Sequence, residues 1–151
     1  MSAAPDIRSG GCFCGAVRFT ARLESPVFGA CHCETCRRWS GSALLAITVP
    51  TASIDWQGTD HIATIQSSDW AERAWCARCG SGLYFAVTAP GPHFGNAELP
   101  IGLFDDANGL KMQSEIFYDQ KPDCFAYAGE TRKLSRAETF AMFGADANPE
   151  E

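Results

Sequence analysis

Cys31-His32-Cys33-Glu34-Thr35-Cys36-Arg37-Arg38 places three thiols within six residues and follows them with two guanidiniums. Thiolates bind soft or borderline cations such as zinc, and residues i and i+2 of an extended chain point to one side, so Cys31 and Cys33 can reach one ion together. His32 then faces the other way. Cys36 returns to the same ion if the chain turns at Glu34-Thr35. A tetrahedral ion needs a fourth ligand, and catalytic zinc sites keep that position for water or substrate whereas structural ones close it.

Two further motifs flank this stretch. Cys12-Phe13-Cys14-Gly15 lies before it and Cys76-Ala77-Arg78-Cys79-Gly80 after it, each pair followed by a glycine that frees the backbone for a tight turn. Seven of the eight cysteines therefore sit in closely spaced groups, which favours metal over disulfides. Cys124 stands alone and is expected to be a small buried hydrophobe. The two glycine-flanked pairs are expected to join into a closed four-thiolate zinc site, leaving Cys31, Cys33 and Cys36 to hold a second zinc with one place open. The alternative is that all seven thiols serve stability, with His32, Cys124 or a neighbouring chain as the eighth ligand.

Composition bounds the rest. The chain has 151 residues, 46% hydrophobic and 20% charged, which suits one globular domain. A net charge of -6 argues against general nucleic-acid binding, which needs a basic face. No apolar run has membrane-spanning length, and the start, Met1-Ser2-Ala3-Ala4-Pro5-Asp6, lacks the layout of a secretory signal. A cytoplasmic location is the expectation.

Taken in order, residues 1–9 read as a flexible arm, 10–144 as a single zinc-binding domain and 145–151 as a flexible tail. Val17, Phe19, Ala21 and Leu23 alternate with polar residues, the period of a half-buried strand. Further strands are expected at residues 43–49, 62–66, 73–75, 83–87, 99–103 and 115–118. Trp39-Ser40-Gly41-Ser42 reads as a mobile loop. Ser135-x-x-Glu138 has the form of a capping box, and Ala137, Phe140 and Ala141 suggest the apolar face of a short C-terminal helix. The fold expected is mainly β. His61 and His93 sit in loop-like sequence and receive no role.

The ordered motifs Gly11-Cys12-Phe13-Cys14-Gly15, Cys31-His32-Cys33-Glu34-Thr35-Cys36 and Cys76-Ala77-Arg78-Cys79-Gly80-Ser81-Gly82-Leu83-Tyr84-Phe85 closely resemble the glutathione-dependent formaldehyde-activating family, whose domain is shared with centromere protein V. The resemblance implies an Mss4-like, tent-shaped β fold built around two zinc ions per chain. It also implies a structural zinc on Cys12, Cys14, Cys76 and Cys79 and a catalytic zinc on Cys31, Cys33 and Cys36. The implied reaction joins formaldehyde and glutathione into S-hydroxymethylglutathione, formally a carbon–sulfur lyase reaction run backward. Arg37, Arg38 and His32 are the substrate-binding candidates, the arginines to offset negative charge or hold a carboxylate of glutathione. This chain departs from many relatives in carrying Glu115 where they have a histidine, and Cys124 where they have an aromatic residue.

Two rival readings accompany the enzyme. One is a zinc-stabilised, non-enzymatic binding module of Mss4-like fold; the other is a metal-free redox or electrophile-scavenging site in which Arg37 lowers a thiol pKa. A homodimer is compatible with the sequence. The open-site reading predicts close to two zinc per chain by elemental analysis, one of them readily lost to a chelator. Two equally inert ions would instead fit the binding module.

Overall fold

The computed structural model describes residues 4–143, so the expected tail at 145–151 lies outside the described residues. Three strands form a small sheet in the order β1-β2-β5: β1 (Asp6–Gly11), β2 (Arg18–Leu23) and β5 (Ile54–Gln57). Eight strands form a larger sheet in the order β11-β10-β3-β4-β9-β8-β7-β6. Its members are β3 (Val27–Cys31), β4 (Leu44–Pro50), β6 (Ile62–Gln66), β7 (Ala71–Cys76), β8 (Gly82–Val87), β9 (Asn96–Pro100), β10 (Lys111–Ile116) and β11 (Arg132–Lys133). Most neighbours run antiparallel, but β10 pairs in parallel with both β3 and β11. Two short helices complete the fold, α1 (Glu34–Ser40) and α2 (Arg136–Phe143). The chain is mainly β with a short C-terminal helix, as its alternating sequence implies. Among the described residues, no helix is long and apolar enough to cross a membrane.

Alternation decides which side chains meet. In a strand, successive residues point to opposite faces. Ile47 and Val49 of β4, Ala86 of β8, and Ala97 and Leu99 of β9 turn to the small sheet, where they bury Phe19, Ala21, Leu23, Ile54 and Phe104. Phe19 is the hub: it is almost fully buried and meets the rings of Trp56 at 5.2 Å and Phe104 at 5.5 Å. Leu44, Ala46 and Thr48 on β4, Phe85 on β8 and Glu98 on β9 face the other way and line a cavity. One face of the large sheet thus supplies the core and the other supplies a wall.

Several boundaries differ from those read in the sequence, each for a local reason. Asp6–Gly11, expected to lie largely within a flexible arm, is a strand in full register with β2. Its own residues show little apolar alternation, and the partner strand supplies the pairing. Trp39 and Ser40, expected in a loop, close α1. A seven-residue helix is too short to display a 3.6-residue period, and the Cys33 sulfur caps it by accepting from the Cys36 N–H. The strand expected at 99–103 stops at Pro100, which has no donor to continue a ladder, and Ile101–Leu103 turns instead. The strand expected at 115–118 runs from Lys111 to Ile116 and is ended by Phe117 in the left-handed region at φ 53°.

Helix α2 carries the expected capping box, with the Ser135 N–H donating to Glu138 Oε1 at 2.9 Å and the Glu138 N–H to Ser135 Oγ at 3.1 Å. Its expected apolar face packs through Phe140 alone, which meets Phe117 edge-on: Ala137 and Ala141 are not buried, whereas Thr139 is. The Thr139 hydroxyl donates to the Ser135 carbonyl, which removes the usual cost of burying it.

Truncating Phe19 to alanine should destabilise the metal-replete protein by roughly 3–5 kcal/mol in urea unfolding, the range for large aromatics lost from a packed core. Phe13→Ala, at a side chain 93% exposed, should stay within about 0.5 kcal/mol of wild type. Equal effects at the two positions would contradict this placement of the core.

Candidate active site

The outer thiol pairs converge from the two sheets. Cys12 and Cys14 lie in the turn between β1 and β2, and Cys76 and Cys79 at the turn between β7 and β8. Their four sulfurs lie within 4.8 Å of one another. Cys12 and Cys14 are 3.6 Å apart and Cys14 and Cys76 3.9 Å. A tetrahedral zinc with metal–sulfur bonds near 2.3 Å has sulfur–sulfur edges of about 3.8 Å, so this group fits such an ion. The second turn is tight because Gly80, at φ 85°, takes a left-handed conformation and donates its N–H to the Cys76 carbonyl at 2.7 Å. Ser81 joins the turns by accepting from the Phe13 N–H at 3.0 Å.

Cys31, Cys33 and Cys36 form a second group, also within 4.8 Å of one another. Cys31 ends β3, Cys33 caps α1 and Cys36 lies in its first turn, so the strand-to-helix corner presents all three. In this arrangement hydrogen bonds from Cys31 and Cys36 pull the Cys33 thiol far below its usual range. The same crowding, first from Cys33 and then from Cys36, with burial added, pushes Cys31 well above it. Three sulfurs this close cannot all ionise unless a cation lies among them. The donor set therefore suits a thiophilic ion.

No fourth cysteine, histidine or carboxylate joins this group among the described residues. His32 is turned away and buried, with its Nε2 2.9 Å from Glu115 Oε1. Thr131 donates to the other Glu115 oxygen at 2.6 Å, and Lys133 lies 3.9 Å from it. Burial works to raise the Glu115 carboxyl, and the bonds from Thr131 and His32 outweigh it, leaving the group below its usual range. Tyr118, Phe125 and Tyr127 surround the imidazole at 5.9–6.1 Å. Glu115 thus fixes His32, the residue between two of the three cysteines.

The three thiols open onto a cavity of about 610 Å³. Arg73, on β7, is only 2% exposed and donates from Nη2 to Cys36 Sγ at 3.5 Å. Its guanidinium carbon lies 5.2 Å from the Trp39 ring centroid and 4.7 Å from that of Phe85. Neither Nε nor Nη1 finds a protein partner. Two buried donors are thereby held beside the sulfurs. Gly82 permits this arrangement, because a Cβ there would come 2.7 Å from the Trp39 ring.

The other residues singled out in the sequence are not brought to this cavity. Arg37 and Arg38 line a separate cavity of about 510 Å³ together with His32, Cys124 and Phe125. Arg38 also pairs with Glu34 at 3.6 Å on the exposed side of α1. Cys124, expected to be buried, is exposed at the rim of that second cavity, because the stretch from Lys121 through Pro122 and Asp123 forms no strand or helix that would turn it inward. Conversely Arg73, Glu98 and His93 line the thiol cavity without having been anticipated. An arginine in the strand Ala71–Cys76, directly before the apolar Ala74-Trp75, was the one visible signal for Arg73.

The family model described as glutathione-dependent formaldehyde-activating enzyme matches residues 7–120. An uncharacterised lyase of Schizosaccharomyces pombe is 36% identical over 123 residues, covering 81% of this chain and 86% of that protein. A Halomonas elongata protein provisionally named a glutathione-dependent formaldehyde-activating enzyme is 32% identical over 83 residues, 50% of this chain and 53% of its own. A crystal structure of a Rhodobacter sphaeroides protein shares the fold with a TM-score of 0.56 at 18% identity, covering 70% of this chain and 99% of that one. The match over most of the chain, together with the two thiol groups, shows that this protein belongs to the glutathione-dependent formaldehyde-activating enzyme family.

Proposed function

We propose that the protein is a two-zinc carbon–sulfur lyase that joins a small thiol, glutathione in the first instance, to formaldehyde. The observation that carries this reading is the group of Cys31, Cys33 and Cys36, three sulfurs on the wall of a cavity of about 610 Å³ with no fourth ligand among the described residues. A flat surface above a closed site would have favoured a binding module. The names of the two relatives, a lyase and a formaldehyde-activating enzyme, support the same class.

Cys12, Cys14, Cys76 and Cys79 would hold the structural zinc, and Cys31, Cys33 and Cys36 the catalytic one. A zinc bound by three thiolates supplies a position at which a substrate sulfur loses its proton more readily. The reaction then forms one carbon–sulfur bond: the substrate thiolate attacks the aldehyde carbon, and the carbonyl oxygen takes a proton to become the hydroxymethyl group. Arg73 is placed to favour both charged partners. Its unengaged Nε and Nη1 donors lie in a buried setting beside the sulfurs, where a hydrogen bond to developing oxygen charge is strong. Trp39, Trp70 and Phe85 limit water around the thiolate. His32 and Glu115 hold the strand-to-helix corner from behind, so Cys31 and Cys33 keep their direction.

Enzyme loaded with zinc, glutathione and isotopically labelled formaldehyde should accelerate adduct exchange above the uncatalysed background in NMR exchange spectra. Cys33→Ser should lower that acceleration roughly a hundredfold or more while keeping close to one zinc per chain and the wild-type circular dichroism. Exchange at the wild-type rate in this variant, or no acceleration by zinc-replete wild type, would overturn the proposal.

A further inference from the structure

Glu98 is a carboxylate in the wall of the thiol cavity that the chemistry above does not use. Its place follows from register. Arg73 pairs with Phe85, Phe85 with Glu98, and Glu98 with Thr48, so these four side chains form one row across β7, β8, β9 and β4 on the cavity face. Phe85 separates the two charges, and Arg73 leans over its ring toward Cys36. Cys31 pairs with Leu44, four residues before Thr48 on β4. At about 3.3 Å per residue the sulfur end of the cavity and the Thr48–Glu98 pair are about 13 Å apart along the strand.

The carboxylate is left with capacity to spare. Thr48 Oγ1 lies 2.8 Å from Oε1 and 2.9 Å from Oε2, but a hydroxyl has one proton and can donate to only one oxygen at a time. No lysine or arginine among the described residues forms an ion pair with Glu98. Burial pushes its carboxyl up to about 7, with the Thr48 bond opposing. A carboxylate in this state gains most from a cation that arrives from outside.

We propose that Glu98 anchors the ammonium group of the substrate, making the cavity selective for thiols that carry a protonated amine remote from the sulfur. The inference rests on the thiol-binding role proposed above and names the feature of the thiol that is recognised. Glutathione has that layout: about eight bonds separate its sulfur from the α-amino nitrogen of the γ-glutamyl group, a reach of roughly 10 Å when extended. With the sulfur at the three cysteines, that reach plus a hydrogen bond of about 3 Å spans the distance to the Thr48–Glu98 end of the cavity. Arg73 at the sulfur end and Glu98 at the amine end then discriminate the direction in which the ligand lies, because reversal places like charges together.

The test is isothermal titration calorimetry on the zinc-loaded protein with glutathione and with glutaryl-cysteinyl-glycine, the analogue in which hydrogen replaces the α-amino group. Wild type should bind glutathione roughly ten- to a hundredfold more tightly than the analogue, the range for one charge-assisted hydrogen bond in a partly buried site. Glu98→Gln should weaken glutathione by that factor and leave the analogue unchanged. Equal binding of the two thiols by wild type, equal weakening of both by Glu98→Gln, or binding of neither would overturn the proposal. The comparison in wild type needs no variant to fold. Equal binding with full turnover would remove the ammonium anchor and leave the lyase reading intact, whereas amine-dependent binding without carbon–sulfur bond formation would do the reverse.

Discussion

Sulfurs brought within a few ångströms of one another must stay protonated or share a cation, and the whole fold is arranged around two places where this choice arises. The outer group takes one pair of thiols from a turn of the small sheet and the other from a turn of the large sheet. An ion there would tie together sheets that otherwise meet mainly through the apolar layer around Phe19. Metal affinity then becomes folding free energy, which suits a chain of this size with a modest core.

The second group differs because of where it sits on the sheet. The central strands β4, β8 and β9 present one face to the small sheet and one to the cavity, so core and site are made from alternate residues of the same segments. Ile47 packs while Thr48 faces the ligand space; Leu99 packs while Glu98 does so. A substitution that shifted register by one residue in β4 or β9 would exchange these roles and remove both at once. Stability and function are therefore tied through the pleat rather than through shared side chains. Arg73 is the exception, since its ring contacts hold α1 near β8 while its Nη2 donates to Cys36 Sγ.

Much of this was legible in the chain itself, and the reasons are physical. Thiol spacing announces metal chemistry because few other arrangements need sulfurs two and three residues apart, so both groups could be drawn from motifs alone. The strand at Phe19 and the capping box at Ser135 were equally plain, one from alternation and the other from a reciprocal hydrogen-bond pair. What escaped reading depended on partners far along the chain or on local caps. Asp6–Gly11 becomes a strand through β2, and α1 stops being a loop through the Cys33 cap. Sequence proximity does not give spatial proximity here: Arg37 and Arg38 follow Cys36 directly but line a different cavity, while Arg73, 37 residues away, reaches its sulfur. A helix turns its successive side chains by about 100°, so neighbours of a ligand are seldom neighbours of the ion.

The most direct measurement is diffraction from zinc-replete crystals grown with glutathione, with anomalous data collected at the zinc edge. The account predicts two ions, one enclosed by Cys12, Cys14, Cys76 and Cys79 and one held by Cys31, Cys33 and Cys36 with the glutathione sulfur beside it. An empty trio in metal-replete protein, or an ion there closed by a fourth side chain of the polypeptide, would contradict it.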